Sequence, residues 1–221
     1  ALEATNLSKS FVTRRDLIGR PTSWVDAVKD VSVTVRRGES IGLVGESGAG
    51  KSTVGRLVLR LIEPDRGAVF VAGQDVRAMD TRALRRFRAR GRMIFQDPFA
   101  SMDPTMTVAQ IVGEPLLIHE NLDRADRRRR VAELLDSVGM SRDHIDRHPH
   151  EFSGGQLQRI AVARAISTNP ELIVCDEAVA ALDMSIRAQV INLLRDMQDE
   201  RDIGYLFISH DLSLVGHIAA Q

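Results

Sequence analysis

The sequence is poor in several kinds of residue, and these shortages narrow the classes of protein to consider. Its 221 residues include a single cysteine, Cys175, so no intrachain disulfide can form. One cysteine in a chain of this length is typical of a reducing compartment. No apolar run approaches the ~20 residues that a helix needs to cross a bilayer. A disulfide-stabilised domain is excluded, and the sequence predicts no membrane-spanning helix.

The chain also lacks net charge, since 30 basic residues balance 30 acidic ones. No overall field therefore favours nucleic acid or an anionic membrane. Lysine is rare: Lys9, Lys29 and Lys51 stand against 27 arginines. Two arginine clusters, within 82–92 and 127–130, are a pattern that nucleic acid could bind. Acidic neighbours and the shortage of interleaved aromatic residues favour solvated faces instead, and we expect no nucleic-acid partner.

Short apolar runs alternate with stretches of helical spacing. The runs predict strands over 2–7, 31–35, 40–44, 68–72, 172–175 and 205–208. From Lys51 apolar residues recur at helical spacing as far as Leu61, in a helix that must end before Pro64. A second helix is predicted near 186–198, and about 99–166 holds mostly helical patterns. Strands alternating with helices predict an α/β fold with a parallel sheet and an inserted helical subdomain.

The segment between strand 40–44 and the following helix matches the P-loop pattern of nucleotide-binding proteins. It consists of Gly45, Glu46, Ser47, Gly48, Ala49, Gly50, Lys51, Ser52 and Thr53. Glycines let backbone N–H groups curl around phosphates at the positive end of a helix. We expect Lys51 to reach the β- and γ-phosphates and the Ser52 hydroxyl to bind Mg²⁺. The alternative, a chance glycine-rich turn, does not explain why the segment lies between an apolar strand and a helix.

Two acidic residues, Asp176 and Glu177, follow the apolar run 172–175. The carboxyl edge of a parallel sheet is where ligands of α/β proteins bind. Asp176 is expected to hold the metal, and Glu177 to polarise the attacking water as general base. A strand that ends in solvated acids is the alternative, which the upstream P-loop makes the weaker one. Cys175 is interpreted as a core residue.

A third motif is Phe152-Ser153-Gly154-Gly155-Gln156. Ser153 and Gln156 have the spacing of a capping box that opens a helix, and the glycines leave room for a ligand there. By itself this could be an ordinary capped surface helix. Together with the P-loop it resembles the signature sequence of ABC (ATP-binding cassette) transporters, which contacts ATP held by a second subunit.

Further residues match this family in order. Gln96 resembles the Q-loop glutamine, which senses Mg²⁺ and water, and His210 resembles the switch histidine that touches the γ-phosphate. The run Ala181-Leu182-Asp183 resembles the D-loop, which crosses the dimer interface. Phe11 matches the aromatic residue that stacks on adenine, with Trp24 as a weaker candidate and a plain core role as the alternative for Phe11.

Within the family, three segments are similar to peptide-permease ATPases: 95–104, 149–156 and 185–190. The extended segment 11–27 and the segment 59–64 look like the second of that system's two paired ATPases. Three residues depart from the pattern, namely Ala178 in place of proline, Ala180 in place of serine, and Leu157 in place of a basic residue. Each departure leaves the expected catalytic groups intact.

The resemblance implies a P-loop ATPase core with a parallel sheet, an antiparallel β subdomain and a helical subdomain at about 99–166. It also implies ATP and Mg²⁺ as ligands, a head-to-tail dimer with a related or identical cassette, and permease subunits at the cytoplasmic face of the membrane. An extracellular peptide-binding protein would act indirectly. We expect 1–221 to be one cassette cut at both ends. The alternative is a soluble ABC ATPase acting on ribosomes or DNA, which usually carries a longer insertion than 96–153.

Overall fold

The computed structural model of the chain describes residues 1–16, 18–180 and 182–211, and of Arg15 it describes the backbone alone. Ala181 of the predicted D-loop lies outside the described residues, and so do residues 212–221, whose sequence predicts a further helix. The strands are β1 (Leu2–Arg15), β2 (Pro21–Val35), β3 (Ser40–Val44), β4 (Arg66–Val71), β5 (Gln74–Asp75), β6 (Gly91–Ile94), β7 (Leu172–Asp176) and β8 (Gly204–Ser209). The α-helices are α1 (Lys51–Val58), α2 (Thr81–Arg90), α3 (Val108–His119), α4 (Arg124–Ser137), α5 (Gly154–Ile166) and α6 (Met184–Arg201). Short 3₁₀ helices cover Arg142–Asp146 and Pro149–Glu151.

The strands form two sheets of different kinds. One sheet is antiparallel and has the strand order β2-β1-β4-β5. The other sheet is parallel and has the strand order β3-β8-β7-β6. Every residue of β7 and β8 is buried, as expected of central parallel strands covered on both faces. The α/β fold with a parallel sheet, an antiparallel β subdomain and a helical insertion is confirmed.

The parallel sheet separates two hydrophobic cores. Successive side chains of a strand point to opposite faces, and β7 divides accordingly: Ile173 and Cys175 join one core, and Leu172 and Val174 join the other. The first core contains the buried faces of α3, α4, α5 and α6, and the second lies between the antiparallel sheet, α1 and the parallel sheet. The nucleotide motifs therefore sit on a framework packed from both sides.

The helix predicted from Lys51 ends at Val58, so the interpretation of Leu61 as a helical residue is wrong. Arg60 has a left-handed backbone (φ 47°), which stops the helix. Its guanidinium donates to the carbonyl oxygens of Val76 at 3.0 Å and Met79 at 2.6 Å. A tertiary contact thus fixes a turn that local spacing could not show, and Leu61 is left partly exposed.

The helical stretch 99–166 holds no strand, as predicted; all of it lies among the described residues. The arginine-rich segment 82–90, interpreted only as a solvated face, forms α2, which Asp80 caps by accepting from the Ala83 N–H at 2.6 Å. Phe87 is the buried residue of this helix. No helix in the described ranges has the length and apolar character to cross a membrane.

Candidate nucleotide-binding site

The predicted motifs meet at the carboxyl edge of the parallel sheet. Because β3, β7 and β8 run in the same direction, the residues that follow or end them lie together: Gly45 after β3, Asp176 at the end of β7 and His210 after β8. A pocket of about 280 Å³ opens there. It is lined by Ala27, Ser47, Gly48, Gly50, Lys51, Ser52, Thr53, Gln96 and Glu177.

Close packing against β2 fixes the conformation of the P-loop. Gly50 has φ 87°, and a Cβ atom there would lie 1.9 Å from the carbonyl oxygen of Ala27. Only glycine fits both the backbone angle and this contact. Gly50 is also the N-cap of α1 and offers no side-chain acceptor, so the N–H groups of the first turn are available to an anion.

Lys51 is held inside the loop. It is 7% exposed, and its Nζ donates to the carbonyl oxygens of Gly45 at 2.8 Å and Glu46 at 2.7 Å. Both acceptors are backbone atoms of the loop itself. The ammonium group is therefore positioned at the pocket floor, where it can meet a phosphate.

Ser52 and Asp176 form an oxygen-rich pair beside this lysine. The Ser52 hydroxyl donates to Oδ1 of Asp176 at 2.6 Å, and Asp176 is 4% exposed. A hydroxyl next to a buried carboxylate supplies the oxygen ligands that Mg²⁺ prefers. The donor set fits a magnesium ion brought with the nucleotide.

Glu177 is turned away from its neighbour Asp176 by its backbone. Its φ is 48°, and its N–H donates to the carbonyl oxygen of Ile208 at 2.9 Å. Its carboxylate accepts from Nε2 of Gln96 at 3.0 Å and lies 3.3 Å from Nδ1 of His210. Three predicted residues thus meet at the pocket mouth, with a carboxylate placed to polarise a water molecule.

The predicted signature forms the start of α5. Oε1 of Gln156 accepts from the Ser153 N–H at 3.0 Å, and Oγ of Ser153 accepts from the Gln156 N–H at 3.4 Å, which confirms the capping box. A Cβ atom at Gly155 would lie 2.6 Å from Cγ2 of Ile186, whereas one at Gly154 would meet nothing within 4 Å. Gly155 serves helix packing, and Gly154 leaves open space at the start of α5.

Asp183 is the N-cap of α6, where its Oδ1 accepts from the Ile186 N–H at 3.0 Å. Among the described residues, neither Asp183 nor the signature lines the pocket of the same chain. The structure therefore does not bring these predicted residues to the P-loop within one chain.

The two aromatic candidates lie on opposite faces of the β1–β2 pair. Phe11 pairs with Val25, and Trp24 pairs with Val12; directly opposite residues share a face, and adjacent residues alternate. Phe11 is 39% exposed, and the centroid of its ring lies 5.8 Å from Nζ of Lys9. Within the described residues neither ring lines the pocket.

Ala27 reaches the pocket although sequence reasoning missed it. It contributes through its backbone, because its carbonyl oxygen lies against Gly50. An alanine carries no chemical group that could have identified it.

Cys175 lies in the core, as interpreted from the sequence. Burial, and secondarily the charge of Asp176, raises the pKa of its thiol above the ordinary value. The side chain directly before the two acids therefore stays a neutral thiol.

A groove of about 200 Å³ separates the parallel sheet from the helical subdomain. It is lined partly by Leu61, Arg92, Phe95, Met102 and Arg164. Burial, and then the charge of Arg164, lowers the pKa of Arg92 to about 10. The groove begins at Phe95, directly before Gln96 of the pocket.

Comparison with known proteins identifies the family. The family model described as ABC transporter matches residues 28–180. The oligopeptide transport ATP-binding protein OppF of Bacillus subtilis is 48% identical over 99% of this chain and 70% of its own length. The glutathione import ATP-binding protein GsiA of Escherichia coli is 48% identical over 99% of this chain and 35% of its own.

Comparison with solved structures agrees with this family assignment. A dimeric ATP-binding cassette in a post-hydrolysis state, bound to ADP and Pi, superposes with a TM-score of 0.84 at 25% identity, over 97% of this chain and 90% of that one. The expected likeness to peptide-permease ATPases is confirmed by the relatives. The chain therefore belongs to the ABC transporter family of ATP-binding and ATP-hydrolysing cassettes.

Proposed function

We propose that this chain is the ATP-hydrolysing motor of an importer for oligopeptides or dipeptides. The observation that carries the proposal is the position of Glu177 at the mouth of the P-loop pocket, between Gln96 and His210. The names of the relatives, oligopeptide transport and glutathione import ATP-binding proteins, supply the substrate class.

ATP is bound by the loop from Gly45 to Thr53. The open N–H groups at the start of α1 receive the phosphates, and the Lys51 ammonium leaves its backbone acceptors to meet the β- and γ-phosphates. Phe11, on the strand paired with β2, offers its exposed ring to the adenine. Ser52 and Asp176 hold Mg²⁺, which when bound neutralises phosphate charge.

Glu177 acts as general base toward the attacking water. Gln96 donates to one of its oxygens and His210 lies beside the other, so the carboxylate is oriented from two sides. His210, which is exposed, also reaches toward the position of the γ-phosphate. Gln96 connects this cluster with the groove that starts at Phe95.

The signature acts on a second subunit. Ser153 and the open space at Gly154 are not part of the pocket lining of their own chain, and they form a helix start of the kind that binds anions. In a head-to-tail dimer with a second cassette, related or identical, each ATP lies between one chain's P-loop and the partner's signature. Gly155, Gln156 and Asp183 complete that contact.

The groove between the parallel sheet and the helical subdomain docks permease subunits. Exposed Leu61 and Phe95 supply apolar surface there, and Gln96 relays the occupancy of the groove to the pocket. The chain then works as a peripheral subunit on the cytoplasmic face of the membrane, and an extracellular peptide-binding protein acts on it through the permease.

The experiment is reconstitution of the full-length protein with its permease and binding protein in liposomes. ATP turnover is measured with short peptides, nickel chelates and sugars. We expect peptides alone to raise turnover. Stimulation by another cargo contradicts the peptide assignment while leaving the ATPase assignment intact, and co-purification with ribosomes instead of a permease contradicts the transport role.

A further inference from the structure

Arg187 connects two segments of the site that are far apart in sequence. It lies in the first turn of α6, and its Nη2 donates to the carbonyl oxygens of Ala180 at 3.3 Å and Leu182 at 3.2 Å. Its Nη1 donates to Oδ2 of Asp211 at 3.4 Å. One guanidinium therefore holds three acceptors.

The first segment is the turn that leads into Asp183. Ala180 and Leu182 belong to this turn, and the backbone N–H of Arg187 donates to the Asp183 carbonyl oxygen at 2.8 Å. Arg187 thus contacts the turn through both its side chain and its backbone. The position of Asp183 relative to the core depends on these contacts.

The second segment is the end of β8. Asp211 directly follows His210, and its N–H donates to Oγ of Ser209 at 3.0 Å. Ser209 is buried, whereas His210 is exposed beside Glu177. His210 therefore lies between two fixed points of the chain. Ser209 before it belongs to the buried strand β8, and Asp211 after it is paired with Arg187.

We propose that Arg187 is a positioning residue that couples the Asp183 turn to the His210 segment. The inference rests on the proposed composite site, in which His210 serves the nucleotide of its own chain and Asp183 serves the partner's. Arg187 then supports both sites of a dimer from a single position. The planar guanidinium has five N–H donors in a fixed fork, which a lysine ammonium cannot reproduce.

The test separates the two sites in the full-length dimer, whether its partner is a second copy or a related cassette. Replacing the P-loop lysine of the partner leaves only the site that uses this chain's His210. The reciprocal variant Lys51→Ala leaves only the site that uses this chain's signature and Asp183. Arg187→Ala is introduced into this chain in each background, and kcat and the ATP dissociation constant are measured.

We expect Arg187→Ala to lower kcat about tenfold or more in both backgrounds while the ATP dissociation constant changes less than about twofold. Arg187→Lys should not restore the rate. Asp211→Asn should slow only the site that uses this chain's His210. Arg195→Ala, about two turns further along α6, is the matched control and should leave both rates near the parental value.

Loss of rate in only one background, or rescue by lysine, contradicts the coupling role. Equal losses of rate, ATP affinity and thermal stability would assign Arg187 to folding alone and overturn the proposal as well. Ser153→Ala in the Lys51→Ala background is the reference. If Ser153→Ala leaves turnover unchanged in that background, the proposed composite site itself is wrong. This result distinguishes failure of the composite site from failure of the Arg187 coupling alone.

Discussion

Asp176 and Glu177 are adjacent in sequence, yet the structure gives them different surroundings. Asp176 ends the buried strand β7 and is bonded to the Ser52 hydroxyl. Glu177 has left the strand through a left-handed backbone conformation, which carries its carboxylate to Gln96 and His210. The neighbours of each acid therefore suit the proposed roles, a metal ligand for Asp176 and a general base for Glu177.

Glu177→Gln tests the assignment of the base. The amide keeps the size of the side chain but removes its negative charge and its capacity to accept a proton. We expect ATP to bind with unchanged affinity while turnover falls about 100-fold or more, measured by phosphate release. Asp176→Asn serves as the comparison. Because it removes a proposed Mg²⁺ ligand, ATP binding by this variant should depend less on Mg²⁺. A glutamine variant that turns over ATP at nearly the parental rate contradicts the assignment.

Cys175 provides a second residue-scale prediction. Burial raises the pKa of its thiol, and the side chain is almost completely covered, so the reactive thiolate is scarce and shielded. We expect alkylation by iodoacetamide at pH 8 to be at least about tenfold slower in the native protein than in guanidinium chloride. Rapid labelling of the native protein, followed by mass spectrometry, would contradict the core placement.

Among single residues, the sequence predicted those whose side chains carry a reactive or ligating group. It missed residues that are recognised only by their backbone or tertiary contacts. The P-loop lysine, the acids after β7 and the serine before α5 have side chains suited to one task. Ala27 contributes a carbonyl oxygen, and Arg187 is one arginine among 27 until its three acceptors are known. No local pattern distinguishes either residue.

Helix α5 combines two requirements at its first turn. It must pack against α6, and it must leave its N-terminus open. Gly155 meets the first requirement, because any side chain there would collide with Ile186, and Gly154 meets the second, because nothing lies within 4 Å of a Cβ at that position. The two adjacent glycines therefore have different reasons to be glycine.

Exchanging each glycine for alanine separates these reasons. Gly155→Ala should lower the free energy of unfolding by about 1–3 kcal/mol through overpacking, measured by urea denaturation. Gly154→Ala should leave stability unchanged or slightly higher, since alanine favours helix. In the assembled dimer, however, it should reduce turnover at the partner's P-loop by filling the space for phosphate. Equal stability losses for both variants would contradict the division of roles.

Elements with strong local patterns were predicted well. The parallel strands β3, β7 and β8 appear where their apolar runs indicated, because buried strands need continuous hydrophobic sequence. The fourth parallel strand, β6, was not predicted. The end of α1 was placed too late, because the Arg60 guanidinium reaches distant carbonyl groups. Helix α2 was missed, since five arginines hide the single buried residue Phe87 and the Asp80 cap. Tertiary contacts decided both cases.

In the whole molecule the parallel sheet lies between two cores, and the nucleotide pocket and the groove that begins at Phe95 meet at its carboxyl edge. The pocket is polar, with Lys51 and Glu177 on its lining. The groove combines apolar side chains with Arg92 and Arg164, and α5 contributes both to the groove wall and, at its other end, to the signature. A movement of the helical subdomain therefore reaches the groove and the signature together.

Phe99 offers a test of this coupling. Phe99 is exposed, and its carbonyl oxygen accepts from the N–H of Met102, a residue of the groove lining, at 3.1 Å. It has no part in the proposed ATP contacts. In Phe99→Glu we expect ATP affinity of the isolated protein to remain within about twofold of the parental value. Association with the permease in a pull-down and stimulation by peptide-loaded binding protein should fall about tenfold or more, because a carboxylate replaces an apolar contact. Phe70→Glu is the control; Phe70 lies on β4 of the antiparallel sheet and is 37% exposed, against 45% for Phe99. If it weakens permease association as much as Phe99→Glu does, the groove is not the docking site.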